Sequence, residues 1–394
     1  MTAPDRTLKV VPAADRTGYS LPAWTYDDPT FMQLERERVF LPAWQLVCHL
    51  NDIPKRGDYA TLRLYGERAF VVRQQDGTVR GFHNVCRHRA ARLVDGHQGN
   101  CGGRIVCPYH AWSYKLDGDL IGVPNQDAYE SFSKADHGLV PIECEVFAGF
   151  VFLRFVSGGD SLASYMEPIT EEAALYRFAD LKPMKKIGER LREVNWKNAM
   201  DNYCDALHIP IAHDGLNNLI GETYRLEIDR RVYKISGDLD EVRGDMPSNR
   251  AYKSILPKVD HLPDSRQRLW TYFKLWPSLA FDVYPDQIDF MQFLPLGPTS
   301  CLLRESVYVL DDDRRGMQAA RYLNLRINRV VNREDHDLIS RVQDGMGSSA
   351  FDHGPLGSNE ICLRDFAERM RETIPLAAEV TRPSRDRLEA ALES

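Results

Sequence analysis

Two short stretches decide how this chain is interpreted: residues 86–88 read CRH and residues 107–110 read CPYH. Each stretch offers one Cys and one His. The eighteen residues between them include Gly96, Gly99, Gly102 and Gly103, which is typical of tight loops. Thiolate and imidazole together bind either Zn²⁺ or a [2Fe–2S] cluster in which two His replace two Cys on one iron.

The allocation of ligands favours the cluster. Zinc sites usually pair Cys with Cys across two to four residues, whereas here each loop supplies one Cys and one His. This fits a cluster whose one iron takes Cys86 and Cys107 while the other takes His88 and His110. On the residues alone, a structural zinc site or unrelated core Cys and His remain alternatives.

A second group of candidate ligands lies in residues 202–213, NYCDALHIPIAH. Asp205 and His208 are three residues apart, which on a helix is one face. His213 lies about 140° around a regular helix from His208, so that helix could not aim both imidazoles at one ion. Pro210 lacks an N–H, and we expect it to loosen the turn and bring His213 round.

Two imidazoles and one carboxylate on one face of Fe(II) leave open positions for dioxygen and substrate. The carboxylate must come from elsewhere in the chain. The stretch 333–343, REDHDLISRVQ, offers Glu334, Asp335 and Asp337. A pair of His five apart is weak evidence by itself, because such His are more often surface or capping residues.

Together these stretches resemble the Rieske-type non-haem iron oxygenases that hydroxylate rings or remove methyl groups. The resemblance is carried by CRHRAA, by CPYHAWSYKLDG and, in the same order, by residues 195–213, although the family usually has Gly where this chain has Ala90 and Ala111. It implies a [2Fe–2S] cluster on Cys86, His88, Cys107 and His110. It also implies a mononuclear iron on His208, His213 and Asp335, with Asp337 as the second choice.

The resemblance gives Asp205 a role between subunits. In the family this acidic residue links a cluster-binding His of one subunit to an iron-binding His of its neighbour, here from His110 through Asp205 to His208. That arrangement requires a ring of subunits, commonly a trimer. Asn202 is expected to support the iron pocket.

The pattern of the chain indicates an α+β protein. A short amphipathic helix is expected over 28–40, and alternating strands over 59–65, 68–74 and 150–156 indicate a small antiparallel β module. Helices alternate with strands afterwards. We expect an N-terminal segment (1–44) that packs with the catalytic domain, a Rieske domain (45–156), and a helix-grip-like catalytic domain (157–394) with an antiparallel sheet flanked by helices.

Composition and motifs argue against several kinds of partner, location and cofactor. The net charge of −7 and the lack of any apolar run of membrane-spanning length argue against nucleic-acid and membrane partners. Residues 1–20 resemble no export signal, so a cytoplasmic location is expected, and eight scattered Cys suggest metal ligation rather than a disulfide framework. No GxGxxG motif follows a strand, so NAD(P)H-derived electrons must come through a separate flavin- or ferredoxin-type reductase.

Aromatic residues concentrate in residues 270–293. Those expected to line a cavity above the iron are Trp270, Tyr272, Phe281, Tyr284 and Phe290. Aromatic faces attract quaternary ammonium groups, although a flat aromatic substrate would also fit. The chain most resembles the branch that oxidises choline, glycine betaine, carnitine and proline betaine (stachydrine).

The expected function is therefore that of a terminal monooxygenase and demethylase. It hydroxylates an N-methyl group of a proline betaine-like substrate, with release of formaldehyde. An aromatic-ring hydroxylating oxygenase is the first alternative, and a non-oxygenase electron-transfer or zinc-stabilised binding protein is the second.

Overall fold

The structure is a computed structural model that describes residues 18–221, 223–239 and 246–393. The expectation about export, and the first part of the N-terminal segment, fall on residues 1–17 and lie outside the described residues. No helix in the described ranges is long and apolar enough to cross a membrane.

The helix that the sequence predicts over 28–40 is present. Helix α1 (Pro29–Glu35) continues as a π-helical turn, Arg36–Phe40. Asp28 caps it by accepting hydrogen bonds from the backbone N–H groups of Thr30 and Phe31, because the first turn of a helix has no backbone acceptors of its own.

An antiparallel β module follows. Its strands are β1 (Gln45–His49), β2 (Asp58–Leu64), β3 (Glu67–Arg73), β4 (Val79–His83), β5 (Gln98–Asn100), β6 (Ile105–Val106), β7 (Ser113–Tyr114), β8 (Leu120–Gly122), β9 (Pro141–Phe147) and β10 (Phe150–Arg154). Seven of them form one sheet in the order β1-β10-β9-β4-β3-β2-β5, and β6-β7-β8 form a second. The CRH loop lies between β4 and β5, and the CPYH loop between β6 and β7.

The second module is a larger sheet with helices. Its helices are α2 (Leu162–Met166), α3 (Thr170–Leu175), α4 (Trp196–Cys204), α5 (Ile209–Ala212), α6 (Asp214–Ile220), α7 (Pro247–Ile255), α8 (Arg315–Met346), α9 (Ile361–Thr373) and α10 (Arg385–Glu393). Its strands are β11 (Lys182–Pro183), β12 (Gly188–Arg192), β13 (Arg225–Asp229), β14 (Val232–Asp238), β15 (Leu269–Leu275), β16 (Leu279–Val283), β17 (Ile288–Gly297) and β18 (Ser300–Val309). The sheet order is β11-β18-β17-β16-β15-β14-β13, with β12 also paired to β18, and every pairing is antiparallel.

One face of the larger sheet packs against the first module. Phe281 contacts Phe150 with ring centroids 5.0 Å apart, and both belong to a core that spans the two modules. Arg304, only 2% exposed, donates from Nη1 and Nη2 to the carbonyls of Leu46 and Val47 at 2.8 and 2.9 Å. The α+β class is confirmed, and the two modules are joined by apolar packing and by buried hydrogen bonds.

The long helix α8 crosses the other face of that sheet. Arg321 donates to the Asp286 carbonyl at 2.9 Å, and Asn328 donates to the Tyr284 hydroxyl at 3.0 Å. These polar contacts satisfy buried groups and fix the helix against the sheet. As a result, the acidic pair Glu334 and Asp335 lies beside α5 and α6.

Candidate metal centres and the adjoining cavity

The two Cys-His loops have the same backbone conformation. In the first, the Cys86 carbonyl accepts from the N–H of Ala90 at 3.1 Å; in the second, the Cys107 carbonyl accepts from the N–H of Ala111 at 3.1 Å. Both cysteines are buried, and the His88 and His110 ring centroids are 4.7 Å apart. The structure therefore brings the four predicted cluster residues together.

These donors fit a [2Fe–2S] cluster. Nδ1 of His88 and Nδ1 of His110 are buried and have no hydrogen-bond partner among the described residues. Buried polar nitrogens are normally satisfied, so two such atoms beside two buried thiols are explained by metal ligation. Their assignment as ligands stays a prediction.

Ala90 and Ala111 occupy the positions where the family usually has Gly. Both have φ of 57°, in the left-handed region that costs an L-residue with a Cβ roughly 1–2 kcal/mol. Both loops carry this strain, and the usual Gly is thus explained by the backbone conformation.

Sequence reasoning missed Tyr114. Its hydroxyl lies 3.3 Å from Cys86 Sγ and accepts a hydrogen bond from the N–H of Arg87 at 3.1 Å. Because that N–H occupies an acceptor site of the oxygen, the hydroxyl hydrogen is available to the sulfur. The only sequence signal was a Tyr four residues after the second His, which is not distinctive.

The second site joins residues from two distant parts of the chain. His208 Nε2 lies 3.1 Å from His213 Nε2, and Asp335 Oδ1 lies 2.9 Å from His213 Nε2 and 3.5 Å from His208 Nε2. One ligand atom from each residue lies within 4.8 Å of the others. Two imidazoles and one carboxylate facing a common point form the donor set of a non-haem Fe(II) site.

The electrostatics of the triad support metal binding. Burial alone would lower the pKa of His208, but hydrogen bonds with Asp205 and Asp335 outweigh it and raise that pKa to about 9. Burial alone would raise the pKa of Asp335, but the hydrogen bonds from His208 and His213 lower it to about 2. A divalent ion would replace the protons that otherwise hold these groups together.

Two further carboxylates orient the imidazoles. Asp205 Oδ2 lies 2.9 Å from His208 Nδ1, and Glu334 Oε2 lies 2.8 Å from His213 Nδ1. Each ring therefore turns Nε2 toward the common point, as metal-binding imidazoles generally do. Glu334 appears in the sequence argument only as an alternative ligand, and the structure places it behind His213. Asn202 Nδ2 lies 3.4 Å from His208 Nε2.

The path of the chain through the His pair differs from the expectation. Helix α4 ends at Cys204, and Asp205 is extended, with φ −93° and ψ 128°. Asp205 and His208 therefore meet across a turn, in which Asp205 accepts from the N–H of Leu207, and not along a helical face. Pro210 is in the first turn of α5, where no helical hydrogen bond is lost, so the proposed effect of Pro210 was wrong.

A cavity of about 280 Å³ adjoins the triad. His208, His213 and Asp335 line it together with strands β15 to β18 and helix α8. Its wall also includes two carboxylates, the buried Asp282 and the half-buried Asp289.

The expected aromatic lining is only partly present. Tyr272 and Phe290 line the cavity. Phe281 does not, because it packs against Phe150 on the opposite face of the sheet. Strand alternation determines this, because neighbouring residues point to opposite faces.

Trp270 and Tyr284 share the cavity face of the sheet but do not line the cavity. They contact each other with centroids 4.4 Å apart, and Trp270 donates to the Tyr252 hydroxyl at 3.2 Å. They belong to a separate buried cluster beside the cavity. These two residues, like Phe281, are corrected from cavity-lining residues to core residues.

Comparison with known proteins agrees with this architecture. Residues 43–133 match the model of the Rieske [2Fe-2S] domain, and residues 176–376 match that of the ring hydroxylating alpha subunit catalytic domain. In structure the chain is similar to the quaternary ammonium Rieske monooxygenase CntA, with a TM-score of 0.79 and 23% identity over 93% of this chain and 99% of that one.

Three curated relatives extend over most of the chain. The choline monooxygenase of Arabidopsis thaliana is 31% identical and covers 84% of this chain and 78% of its own length. The carnitine monooxygenase oxygenase subunit of Escherichia coli K12 is 28% identical, covering 86% and 87%. The glycine betaine monooxygenase oxygenase subunit of Chromohalobacter salexigens is 26% identical, covering 93% and 88%.

A Rieske module followed by this catalytic module defines an oxidoreductase, the terminal oxygenase of a Rieske non-haem iron system. Proteins of this class receive electrons from a separate reductase and act on small molecules. The chain belongs to the family of ring-hydroxylating oxygenase alpha subunits with a Rieske [2Fe–2S] domain.

Proposed function

We propose that this oxygenase hydroxylates an N-methyl group of a quaternary ammonium betaine, proline betaine or a close analogue, and so removes that methyl group as formaldehyde. The observation that carries the proposal is the cavity: the wall that adjoins His208, His213 and Asp335 also contains two carboxylates, the buried Asp282 and the half-buried Asp289. Such a wall suits a cationic substrate and disfavours a neutral aromatic ring. The named activities of the three relatives support the same substrate class.

The proposed reaction balances in two steps. Dioxygen gives one oxygen atom to the N-methyl group, and the other leaves as water with two electrons from the reductase and two protons. The resulting N-hydroxymethyl ammonium then loses formaldehyde and a proton, which leaves a tertiary amine. When bound at His208, His213 and Asp335, iron supplies the activation of dioxygen.

The protein residues position the methyl group and keep water away. Ile209, Leu216 and Ile235 line the cavity beside the triad and offer no hydrogen-bonding side chain. Asp205 and Glu334 hold the two imidazoles in place from behind. This preorganisation limits loss of the reactive species to water.

Electrons are proposed to cross between subunits through Asp205. Its side chain is about one-fifth exposed, and one oxygen is engaged with His208 of the same chain. A second subunit in a ring, a trimer in this proposal, would present its cluster-binding His to the exposed side. The corresponding cluster-binding residue of this chain is His110, and the exposed ring of Tyr109 lies against it with ring centroids 3.8 Å apart.

The test is formaldehyde release. Protein loaded anaerobically with iron and sulfide, supplied with a compatible reductase and NAD(P)H, should release one formaldehyde per proline betaine consumed. The same preparation with an aromatic carboxylic acid should give no hydroxylated product. Turnover of the aromatic acid without any betaine turnover would overturn the proposal.

A further inference from the structure

Apart from Arg329, which is exposed, the charged groups that line the cavity fall into three sets. His208, Asp205 and Asp335 belong to the proposed iron site. Glu305 is paired with Arg190 at 2.6 Å and with Lys185 at 3.6 Å. The third set consists of the buried Asp282 and Lys274 and the half-buried Asp289, and its charges are not matched by ion pairs within the described part of the chain.

Asp282 and Asp289 form a directly opposed pair. They are register partners across β16 and β17, so their side chains leave the same face of the sheet. Asp282 is 6% exposed, and its Oδ1 receives no hydrogen bond from the described residues; its Oδ2 receives one from the Tyr284 hydroxyl at 3.4 Å. Asp289 accepts from Gln287 Nε2 at 3.0 Å.

This pair is costly for the free protein. Burial raises the pKa of Asp282 to about 8. Burial also raises the pKa of Asp289 well above its usual range; the neighbouring Asp282 and Asp286 raise it further, and Lys185 opposes them. Opposed like charges in a sheet are destabilising. Such a cost is typical of a group retained for binding, because a cation in the cavity would remove it.

Lys274, on the neighbouring strand β15, is a buried group of the opposite charge. It is 1% exposed, and its Nζ makes no hydrogen bond to any described residue, lying instead 3.9 Å from the centroid of the Tyr203 ring. Tyr272 pairs with Asp282 across β15 and β16, and Lys274 follows two residues later on the same face. The unmatched cation and anion are thus offset by about 7 Å along the sheet.

We propose that these residues form a binding site for a zwitterion: Asp282 and Asp289 attract the quaternary ammonium, and Lys274 binds the carboxylate of the same substrate. This deepens the proposed function and rests on it. A quaternary nitrogen has no N–H, so its attraction to the pair is by charge, whereas Lys274 donates hydrogen bonds to the carboxylate. The site therefore selects betaines over choline-like cations, which lack the carboxylate.

Three probes that share a trimethyl head separate the two poles. Glycine betaine carries both charges, 3,3-dimethylbutanoate replaces its nitrogen by carbon, and tetramethylammonium lacks the carboxylate. Calorimetric titration of the anaerobic holoenzyme should show glycine betaine binding about tenfold or more tighter than either single-charge probe. Equal binding of glycine betaine and 3,3-dimethylbutanoate would overturn the site without any variant.

Variants assign each pole to its residues. Asp282→Asn and Asp289→Asn should weaken glycine betaine and tetramethylammonium by about tenfold and leave 3,3-dimethylbutanoate unchanged. Lys274→Met should weaken glycine betaine and 3,3-dimethylbutanoate and leave tetramethylammonium unchanged. Asp286→Asn is the matched control, because Asp286 is a buried carboxylate of the same region that does not line the cavity.

A structural role gives a different pattern. Losses of equal size for all three probes would contradict the assignment, as would a loss in Asp286→Asn equal to that in Asp282→Asn. Formaldehyde release is measured on the same wild-type sample. Release from proline betaine without charge-selective binding would refute this site alone, whereas no betaine turnover and no binding would refute the proposed function and this site with it.

Discussion

Tyr114 lies where a single hydroxyl can tune the cluster. A hydrogen bond to a cluster sulfur stabilises the reduced, more negative state and so raises the reduction potential. We expect Tyr114→Phe to lower that potential by about 40 mV, since roughly 1 kcal/mol of hydrogen bond corresponds to this shift in a one-electron couple. Redox titration followed by visible absorbance measures it; an unchanged potential would mean that the hydroxyl does not donate to Cys86.

Asp282 gives the ligand-free protein a predictable pH dependence. Because burial raises its pKa to about 8, the folded protein keeps a proton that the unfolded chain releases near pH 4. Stability is therefore lost as pH rises between these values. Asp282→Asn should raise the Tm of the ligand-free protein at pH 8 and have little effect at pH 4.5, as scanning calorimetry can show. A gain that is the same at both pH values would contradict this cause.

From residue identity, the candidate metal ligands that the structure brings together could be predicted better than the residues that line the cavity. Cys86, His88, His208 and their partners are recognised by donor type, which the sequence states outright. Whether Phe281 or Tyr272 reaches the cavity depends on strand register, and a shift of one residue exchanges the two faces. The sequence argument also favoured aromatic residues and overlooked Asp282 and Lys274, since buried charges look like surface charges in a sequence.

At the scale of secondary-structure elements, α8 carries two acids with different tasks. Asp335 contacts Nε2 of His213, on the side of the ring that faces the common point of the triad. Glu334 contacts Nδ1 of the same ring, on the side away from that point. We expect Glu334→Ala to weaken Fe(II) binding by about 10- to 100-fold, which is the usual effect of losing such a supporting contact. Equilibrium dialysis of the apoprotein against Fe(II) measures this affinity.

Asp337 supplies the control for that measurement. It is exposed, and two residues along a helix place it about 200° around the axis from Asp335. Asp337→Ala should leave Fe(II) affinity unchanged. Equal losses in the two variants would argue that the local charge of α8, and not the contact with His213, controls the affinity.

The helices and strands with strong periodicity were predicted well, and the short irregular elements were not. Helix α1 and strands β2, β3 and β10 each begin within one residue of the predicted start. The break after Cys204 was missed because the sequence from Trp196 to His213 has no Gly and only one Pro. Asp205 stabilises that break by accepting hydrogen bonds from the N–H groups of Leu207 and His208, a local pattern that Asp side chains form at turns as readily as at helix starts.

At the scale of the whole molecule, a substitution of Asp205 tests the proposed route of electrons between subunits. We expect Asp205→Asn to keep both metal sites loaded but to slow electron transfer from the reduced cluster by at least about a hundredfold, since an amide is a weaker partner for His208. Single-turnover mixing of reduced protein with dioxygen and proline betaine, followed by the visible absorbance of the cluster, measures the rate. Loss of mononuclear iron in this variant would indicate a structural role instead.

The guanidinium of Arg304 reaches out of the catalytic sheet to two peptide carbonyls of β1 and is buried where it does so. Separation of the two modules would leave this buried charge without its two acceptors and would expose the shared core. Thermal denaturation should therefore produce a single heat-absorption peak for the whole chain. Arg304→Met should move that peak to lower temperature without splitting it, because the shared core still couples the melting of the two halves; two separate peaks would contradict this coupling.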